Sequence, residues 1–74
     1  MIDDIIDIMS SGEWMDTAEI VAALVARDRV RYRTATRQYI PPMIRTLESQ
    51  GYRFEVDKEY YSGARQRVRY RLVE

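Results

Sequence analysis

Residues 40–52 of the 74-residue chain, IPPMIRTLESQGY, form the segment from which the remaining architecture can be worked out. Ile40, Ile44 and Leu47 recur at helical spacing with Met43 beside them, so one face of a helix is apolar. Gly51 then supplies a residue suited to the C-terminal cap of a helix. The pattern predicts a helix over residues 41–50 that packs on a core through its apolar face.

The start of this helix depends on the pair Pro41 and Pro42. Proline lacks an N–H and disfavours helical geometry in the preceding residue, so a helix running through the pair would be kinked at a cost of about 3 kcal/mol or more. Because proline is favoured in the first turn, we expect the helix to begin at Pro41. The alternative is that Thr34 or Thr36 caps a helix running straight into residues 37–49.

The composition limits the classes of protein to which the chain could belong. A chain of this length is expected to form one small domain, residues 1–74, because it buries only about 60–65% of its unfolded surface. It has no cysteine and no histidine, so disulfides, thiolate nucleophiles, imidazole bases and the commonest zinc ligands are absent. The three glycines are scattered, which excludes a phosphate-binding glycine loop. We expect no enzyme, no cofactor and no metal site, and no small-molecule ligand is evident.

The charges are unevenly divided along the sequence, although the formal net charge is zero. Residues 27–74 contain all twelve basic residues, eleven of them arginine, and six of the twelve acids. The other six acids precede them: Asp3, Asp4, Asp7, Glu13, Asp16 and Glu19. Such asymmetry indicates a surface that faces a polyanion, and arginine suits phosphate and guanine contacts as well as carboxylate pairing.

The first helix is predicted over residues 2–9, where Ile2, Ile5, Ile6 and Met9 fall on one face. Its acids are interpreted as a solvated face rather than a metal site. These acids and the absence of early basic residues also argue against a secretory signal or a membrane span. A cytoplasmic protein is expected, nucleoid-associated if it binds DNA.

The second helix has the most complete signals. Asp16 is the predicted N-cap and Glu19 completes a capping box. The helix is expected to turn a stripe of four residues inward: Ile20, Ala23, Leu24 and Arg27. Trp14, in the extended link before this helix, is predicted to fill the core between the helices and the sheet.

The pentapeptide RVRYR occurs twice, at residues 29–33 and 67–71. Its alternation predicts two strands, and Tyr32 is expected to pack in or beside the core, as is Tyr39. Residues 53–59 and 67–72 also alternate, which predicts a hairpin with a turn at residues 62–64. A register with Phe54 opposite Leu72 also pairs three acids with three arginines, namely Glu55 with Arg71, Asp57 with Arg69 and Glu59 with Arg67. These arginines are therefore discounted as DNA contacts.

The order of elements resembles the winged helix-turn-helix domain. The likeness covers nearly the whole chain and is closest over PMIRTLESQGYRFEV, residues 42–56, and YRL, residues 70–72, which look like the passage from recognition helix to wing in the biotin-repressor-like group and in small phage regulators. The resemblance implies an α+β fold with three helices and a C-terminal two-stranded β-hairpin wing, with a third short strand allowed. It also implies a third helix whose N-terminal part enters the major groove of DNA.

The leading functional hypothesis is a small transcriptional regulator that binds double-stranded DNA, as a homodimer if the target is an operator. Exposed polar residues before and within the third helix, together with the hairpin tip, would contact the DNA. The candidate residues are Arg29, Arg31, Arg33, Thr36, Arg37, Gln38, Pro42, Arg45 and Arg65. The competing hypothesis is a phage or plasmid protein that binds a host protein through Tyr60 and Tyr61.

Overall fold

The computed structural model describes residues 2–61 and 65–73, and for residues 2, 60, 61, 65 and 66 it describes the backbone alone. Over these residues the chain is α+β, with three α-helices and one three-stranded antiparallel sheet. The α+β class predicted from the sequence is therefore confirmed. None of the described helices has the length and apolar character needed to cross a membrane.

The first two helices form as the sequence predicts. Helix α1 spans Ile2–Ile8, and helix α2 spans Thr17–Arg27 after the two-residue strand β1, Met15–Asp16. Asp16 Oδ1 accepts from the Glu19 N–H at 2.8 Å while Glu19 Oε1 accepts from the Asp16 N–H at 3.1 Å, so the capping box is complete. Two orphan N–H groups at the start of α2 are thereby satisfied.

Residues 29–33 are turns, so the prediction of a strand there is wrong. The reason is local, because the Asp28 carboxylate accepts from the Arg31 N–H at 3.0 Å and the Asp28 carbonyl accepts from the Tyr32 N–H at 3.1 Å. These bonds bend the chain and leave it no neighbouring strand. A 3-10 helix, Arg37–Tyr39, then leads directly into the third helix.

Helix α3 spans Ile40–Ser49 with the two prolines in its first turn, within one residue of the predicted helix at each end. The alternative is right only in part: Thr36 is the N-cap of the 3-10 helix, but its side chain makes no capping hydrogen bond. Gly51 has φ +103°, a conformation that favours glycine, and Tyr52 N–H closes the helix end on the Leu47 carbonyl at 3.2 Å.

Strands β2, Arg53–Tyr61, and β3, Arg65–Val73, form the predicted hairpin, and β1 pairs with the other edge of β3. The register is the predicted one, with Phe54 opposite Leu72 and Glu55 opposite Arg71. Salt bridges join Arg71 to Glu55 and Arg69 to both Asp57 and Glu59. Arg67 also bridges to Asp16 and Glu19 at the start of α2. The turn predicted at residues 62–64 lies outside the described residues.

Trp14 does not fill the core, contrary to the prediction. It is half-buried, with the Arg71 guanidinium 4.9 Å and the Arg69 guanidinium 5.8 Å from its ring centroid. Those arginines carry the acid pairs of the hairpin, so the indole lies on the same polar face of the sheet. Cation–π contact with two guanidinium groups explains why an indole is stable there.

The core lies between the three helices and the opposite face of the sheet. Its buried residues come from the three α-helices and the residue that follows α1, from the turns at residues 29–33 and from β3: Ile5, Met9, Ile20, Leu24, Tyr32, Ile40, Ile44, Leu47 and Tyr70. The inward face predicted for α3 is confirmed, with Met43 packed at its margin. Arg27 was predicted to face inward, but it is exposed and bridges to acids of α1.

Candidate nucleic-acid interface

The candidate interface is built on the turn segment, which we define as residues 28–36. It begins where the Asp28 N–H bonds to the Leu24 carbonyl at 3.1 Å and ends α2. A further bond from the Ala35 N–H to the Tyr32 carbonyl, at 3.0 Å, folds its second half. The segment is thus a series of hydrogen-bonded turns rather than a loose connection.

Tyr32 anchors the turn segment to the core. Its side chain is 2% exposed and its hydroxyl donates a hydrogen bond to the Asp4 carboxylate of α1. Burial, with the bond to Asp4 as a second cause, raises the pKa of the Tyr32 phenol, so it remains a neutral donor. The bond from Tyr32, helped by Arg27, lowers the pKa of the Asp4 carboxyl, which remains an anion.

The arginines of the described residues fall into two groups. Four form salt bridges: Arg27, Arg67, Arg69 and Arg71. The side chains of six others are exposed and have no acidic partner among the described residues: Arg29, Arg31, Arg33, Arg37, Arg45 and Arg53. Five of these six lie between Asp28 and Glu48, a stretch of sequence with no acid in it. The positive charge of this stretch is therefore not neutralised locally.

The predicted DNA-contacting residues described by the structure are all exposed: Arg29, Arg31, Arg33, Thr36, Arg37, Gln38, Pro42 and Arg45. Arg31, Thr36 and Pro42 line one common pocket, so the structure brings these three together. Arg45, in the middle of α3, does not line this pocket. Burial raises the pKa of the Tyr70 phenol, and the Arg45 charge acts in the opposite direction. The side chains of Arg65, Tyr60 and Tyr61 lie outside the described residues.

The pocket has a volume of about 350 Å³ and separates the turn segment from the start of α3. Its walls are mainly apolar and include Leu24, Tyr32 and Ile40 from the core side. Tyr39, at its edge, is 52% exposed, so it is half-buried and is not a core residue.

Sequence reasoning missed two features of this region. The tie between Tyr32 and Asp4 spans 28 positions and has no local signal. The pocket lined by Thr34, Ala35 and Tyr39 was not predicted either. A usable signal was present in Asp28, because an Asp three residues before a partner N–H is typical of a side-chain-capped turn.

Among the described residues, no group of three or more carboxylates could hold a metal ion. No protein-family model, curated protein or solved structure matches the chain. The chemistry of the exposed arginines is accordingly the main guide to function.

Proposed function

We propose that the chain is a winged helix-turn-helix protein that binds double-stranded DNA and regulates transcription in the cytoplasm or nucleoid. The α+β arrangement of three helices and an antiparallel hairpin is compatible with that layout. In this fold the third helix enters the major groove and the hairpin forms the wing. Here α3 takes the first role, and β2 with β3 takes the second.

One observation carries the proposal: five exposed arginines that form no salt bridge with a described acid lie between Asp28 and Glu48, while Arg67, Arg69 and Arg71 of β3 are paired within the protein. An unpaired guanidinium is available for a phosphate, and neutralising phosphates supplies most of the free energy of non-specific DNA binding. A surface that only faces solvent can carry acids and bases alike. A stretch that carries arginines and no acids therefore favours a polyanionic partner.

In this proposal both the short α3 and the turn segment contact the DNA. Arg29, Arg31 and Arg33 would contact the phosphate backbone, because they lie on turns that hydrogen bonds hold in place. Arg37 and Gln38 lie on the 3-10 helix that leads into α3 and have the chemistry to read guanine and adenine. The outward side of α3, with Pro42 and Arg45, would face the groove.

A homodimer would double the surface offered to an operator. Strand β2 is an edge strand whose outer side has no partner among the described residues, and Val56 on it is 48% exposed. Antiparallel self-pairing centred on Glu55 would place Phe54 of one copy opposite Val56 of the other, and Arg53 opposite Asp57, with one repulsive pair between the two Glu55 side chains. A shift to a centre on Val56 would place Glu55 opposite Asp57 twice, which makes two repulsive pairs, and would place the apolar Phe54 opposite Lys58. We therefore favour the Glu55-centred dimer.

The dimer is tested by sedimentation of the wild type and of Val56→Lys, which places a charge at the pairing edge. The expected result is a concentration-dependent dimer for the wild type and a monomer with an unchanged circular dichroism spectrum for the variant. A variant that dimerises as well as the wild type would contradict β2 as the interface.

DNA binding is tested by fluorescence anisotropy with a labelled duplex of mixed sequence at about 50 mM salt, where phosphate contacts are strong. The test variant replaces Arg29, Arg31 and Arg33 by Gln, and the matched control is Arg53→Gln, an exposed arginine equally without an acidic partner. We expect at least a tenfold loss of affinity for the first and less than a twofold loss for the second. Equal losses would contradict the assignment of the turn segment.

A protein partner is the second candidate function, and the open edge of β2 favours it, because an extended peptide can add to such a strand. Tyr60 and Tyr61, at the end of the same strand, would then be interface anchors. A wild-type protein that binds no DNA at about 50 mM salt, yet captures a partner that is lost when both tyrosines become alanine, would replace the first proposal by this one.

A further inference from the structure

We propose that the pocket between the turn segment and α3 binds a small apolar carboxylate, with the carboxylate on Arg31 and an aromatic or aliphatic body on the apolar floor. The sequence offers no sign of a small-molecule ligand. Arg31 also belongs to the proposed DNA surface, but the test below contains no DNA, so its outcome does not depend on whether the protein binds DNA. The argument rests on the shape of the pocket, the chemistry of its walls and the charge at its rim.

The volume of about 350 Å³ is within the range of small-molecule sites, about 300–1,000 Å³, and near its lower end. It therefore suits a ligand with one ring or a short chain. The floor is made by rigid core residues: Leu24 and Ile40 are fully buried and Tyr32 is 2% exposed. An apolar body placed over this floor would displace water from the partly exposed apolar side chains that line the pocket, namely Ala35, Tyr39, Pro42 and Met43.

Three polar side chains of the pocket come from the turn segment. Thr34 and Thr36 line the pocket, and neither hydroxyl hydrogen-bonds to another described residue. Arg31 lines it too, with its guanidinium 5.8 Å from the centroid of the Tyr32 ring. A few convergent polar groups over an apolar floor are the usual design of a site that orients one end of a ligand.

The charge at the rim selects an anion. Arg31 forms no salt bridge with a described acid, although its charge acts on the Asp4 carboxyl, which does not line the pocket, and the neighbouring Arg29, Arg33 and Arg37 form no such salt bridge either. No acid lines the pocket. A carboxylate would form a charge-assisted hydrogen bond with Arg31, whereas a cation would be repelled and a neutral alcohol would gain only an ordinary hydrogen bond.

The test is a titration of the ¹⁵N-labelled full chain with 4-phenylbutanoate, followed by amide and methionine methyl chemical shifts. A ligand of this size in an open site should have a dissociation constant on the order of 0.1–1 mM. Shifts are expected at pocket residues, above all Tyr39 and Met43. The neutral analogue 4-phenylbutan-1-ol should bind at least fivefold more weakly, and acetate, which lacks the apolar body, should give no saturable shifts.

Two variants separate this site from general binding to a basic surface. Arg31→Gln should weaken 4-phenylbutanoate about five- to tenfold with an unchanged spectrum elsewhere, because Arg31 is exposed. Arg53→Gln, the matched control on β2, should leave the affinity unchanged. Ala35→Leu places a larger side chain in the pocket and should abolish binding. If this variant does not fold, the comparison of Arg31→Gln with Arg53→Gln tests the site by itself.

Three outcomes would overturn the proposal. The first is no saturable shift at about 10 mM 4-phenylbutanoate, ten times the weakest expected dissociation constant. The second is equal binding of the acid and the alcohol. The third is equal weakening by Arg31→Gln and Arg53→Gln, since that would indicate diffuse attraction rather than a site.

Discussion

The hydroxyl of Tyr32 hydrogen-bonds to the carboxylate of Asp4, 28 positions earlier in the chain, and ties the turn segment to α1. The bond places a neutral donor with little solvent contact against an anion that also faces Arg27. The shape of the arginine-bearing surface consequently depends on a contact made by the first helix.

This tie makes stability depend on pH in the acid range. The pKa of the Asp4 carboxyl is lowered in the folded state, chiefly by the bond from Tyr32, so its contribution is present above the unfolded value of about 3.8 and is lost as pH falls through the folded value. Tyr32→Phe removes the main cause of the shift. We expect the variant to be less stable than the wild type at pH 7 and the difference to narrow towards pH 3.

Urea denaturation at a series of pH values checks this prediction, and Tyr39→Phe is the matched control because Tyr39 is half exposed and its hydroxyl donates no hydrogen bond to another described residue. A difference between the wild type and Tyr32→Phe that stays constant from pH 7 to pH 3 would show that the hydroxyl acts independently of the Asp4 charge.

The N-cap residue of α2 should contribute more to the free energy of unfolding than an ordinary surface acid does. Asp16→Ala removes the cap, half of the capping box and a bridge to Arg67, so we expect it to lower the free energy of unfolding by about 1–2 kcal/mol. Asp3→Ala, at an exposed position in the first turn of α1, should cost about 0.5 kcal/mol or less. Thermal unfolding of both variants tests the difference, and equal costs would contradict the role of the cap.

Trp14 should be less important to stability than its size suggests. On the polar face of the sheet, Trp14→Ala should cost about 1–2 kcal/mol, whereas Ile44→Ala in the core should cost about 2–5 kcal/mol. Urea denaturation followed by circular dichroism measures both. If truncating Trp14 costs more than truncating Ile44, the indole belongs to the core after all.

Gly51 is required because of its backbone conformation, and not because a larger side chain would lack space. A Cβ built there meets nothing within 4 Å, yet φ is +103°. Gly51→Ala should therefore destabilise the protein by about 1 kcal/mol or more, and Gly51→Asn should cost less, since asparagine tolerates positive φ better. The order of the two melting temperatures is the readout, and an alanine variant as stable as the wild type would show that no strain is stored there.

The repeated pentapeptide RVRYR shows how far sequence reasoning reaches. At residues 67–71 it is a strand and at residues 29–33 it is a series of turns, although the letters are identical. In both copies the tyrosine is the buried residue, at 7% and 2% exposure. The strand pattern puts the valine on the same face as the tyrosine, yet Val30 is 83% exposed, so the pattern predicted the burial of Tyr32 but not the position of Val30. The conformation was decided by what surrounds each copy: β2 beside one, and Asp28 beside the other.

Other elements could be predicted where neighbouring residues in the sequence allowed only one arrangement. The proline pair placed the start of α3, and the alternation of charges in β2 and β3 determined the register. Trp14 was misplaced because an aromatic residue in a small chain is most often buried, and two arginines from a distant strand reversed that expectation. The pocket could not be predicted at all, since it arises from the packing of three segments.

The most direct test of the account is the salt dependence of DNA affinity for the wild type and for the variant with Arg29, Arg31 and Arg33 replaced by Gln. If the five unpaired arginines between Asp28 and Glu48 each neutralise a phosphate, the slope of log K against log salt should be about −4 to −5 for the wild type and about three units shallower for the variant. Equal slopes, or no detectable binding of the wild type at about 50 mM salt, would contradict DNA binding by this surface.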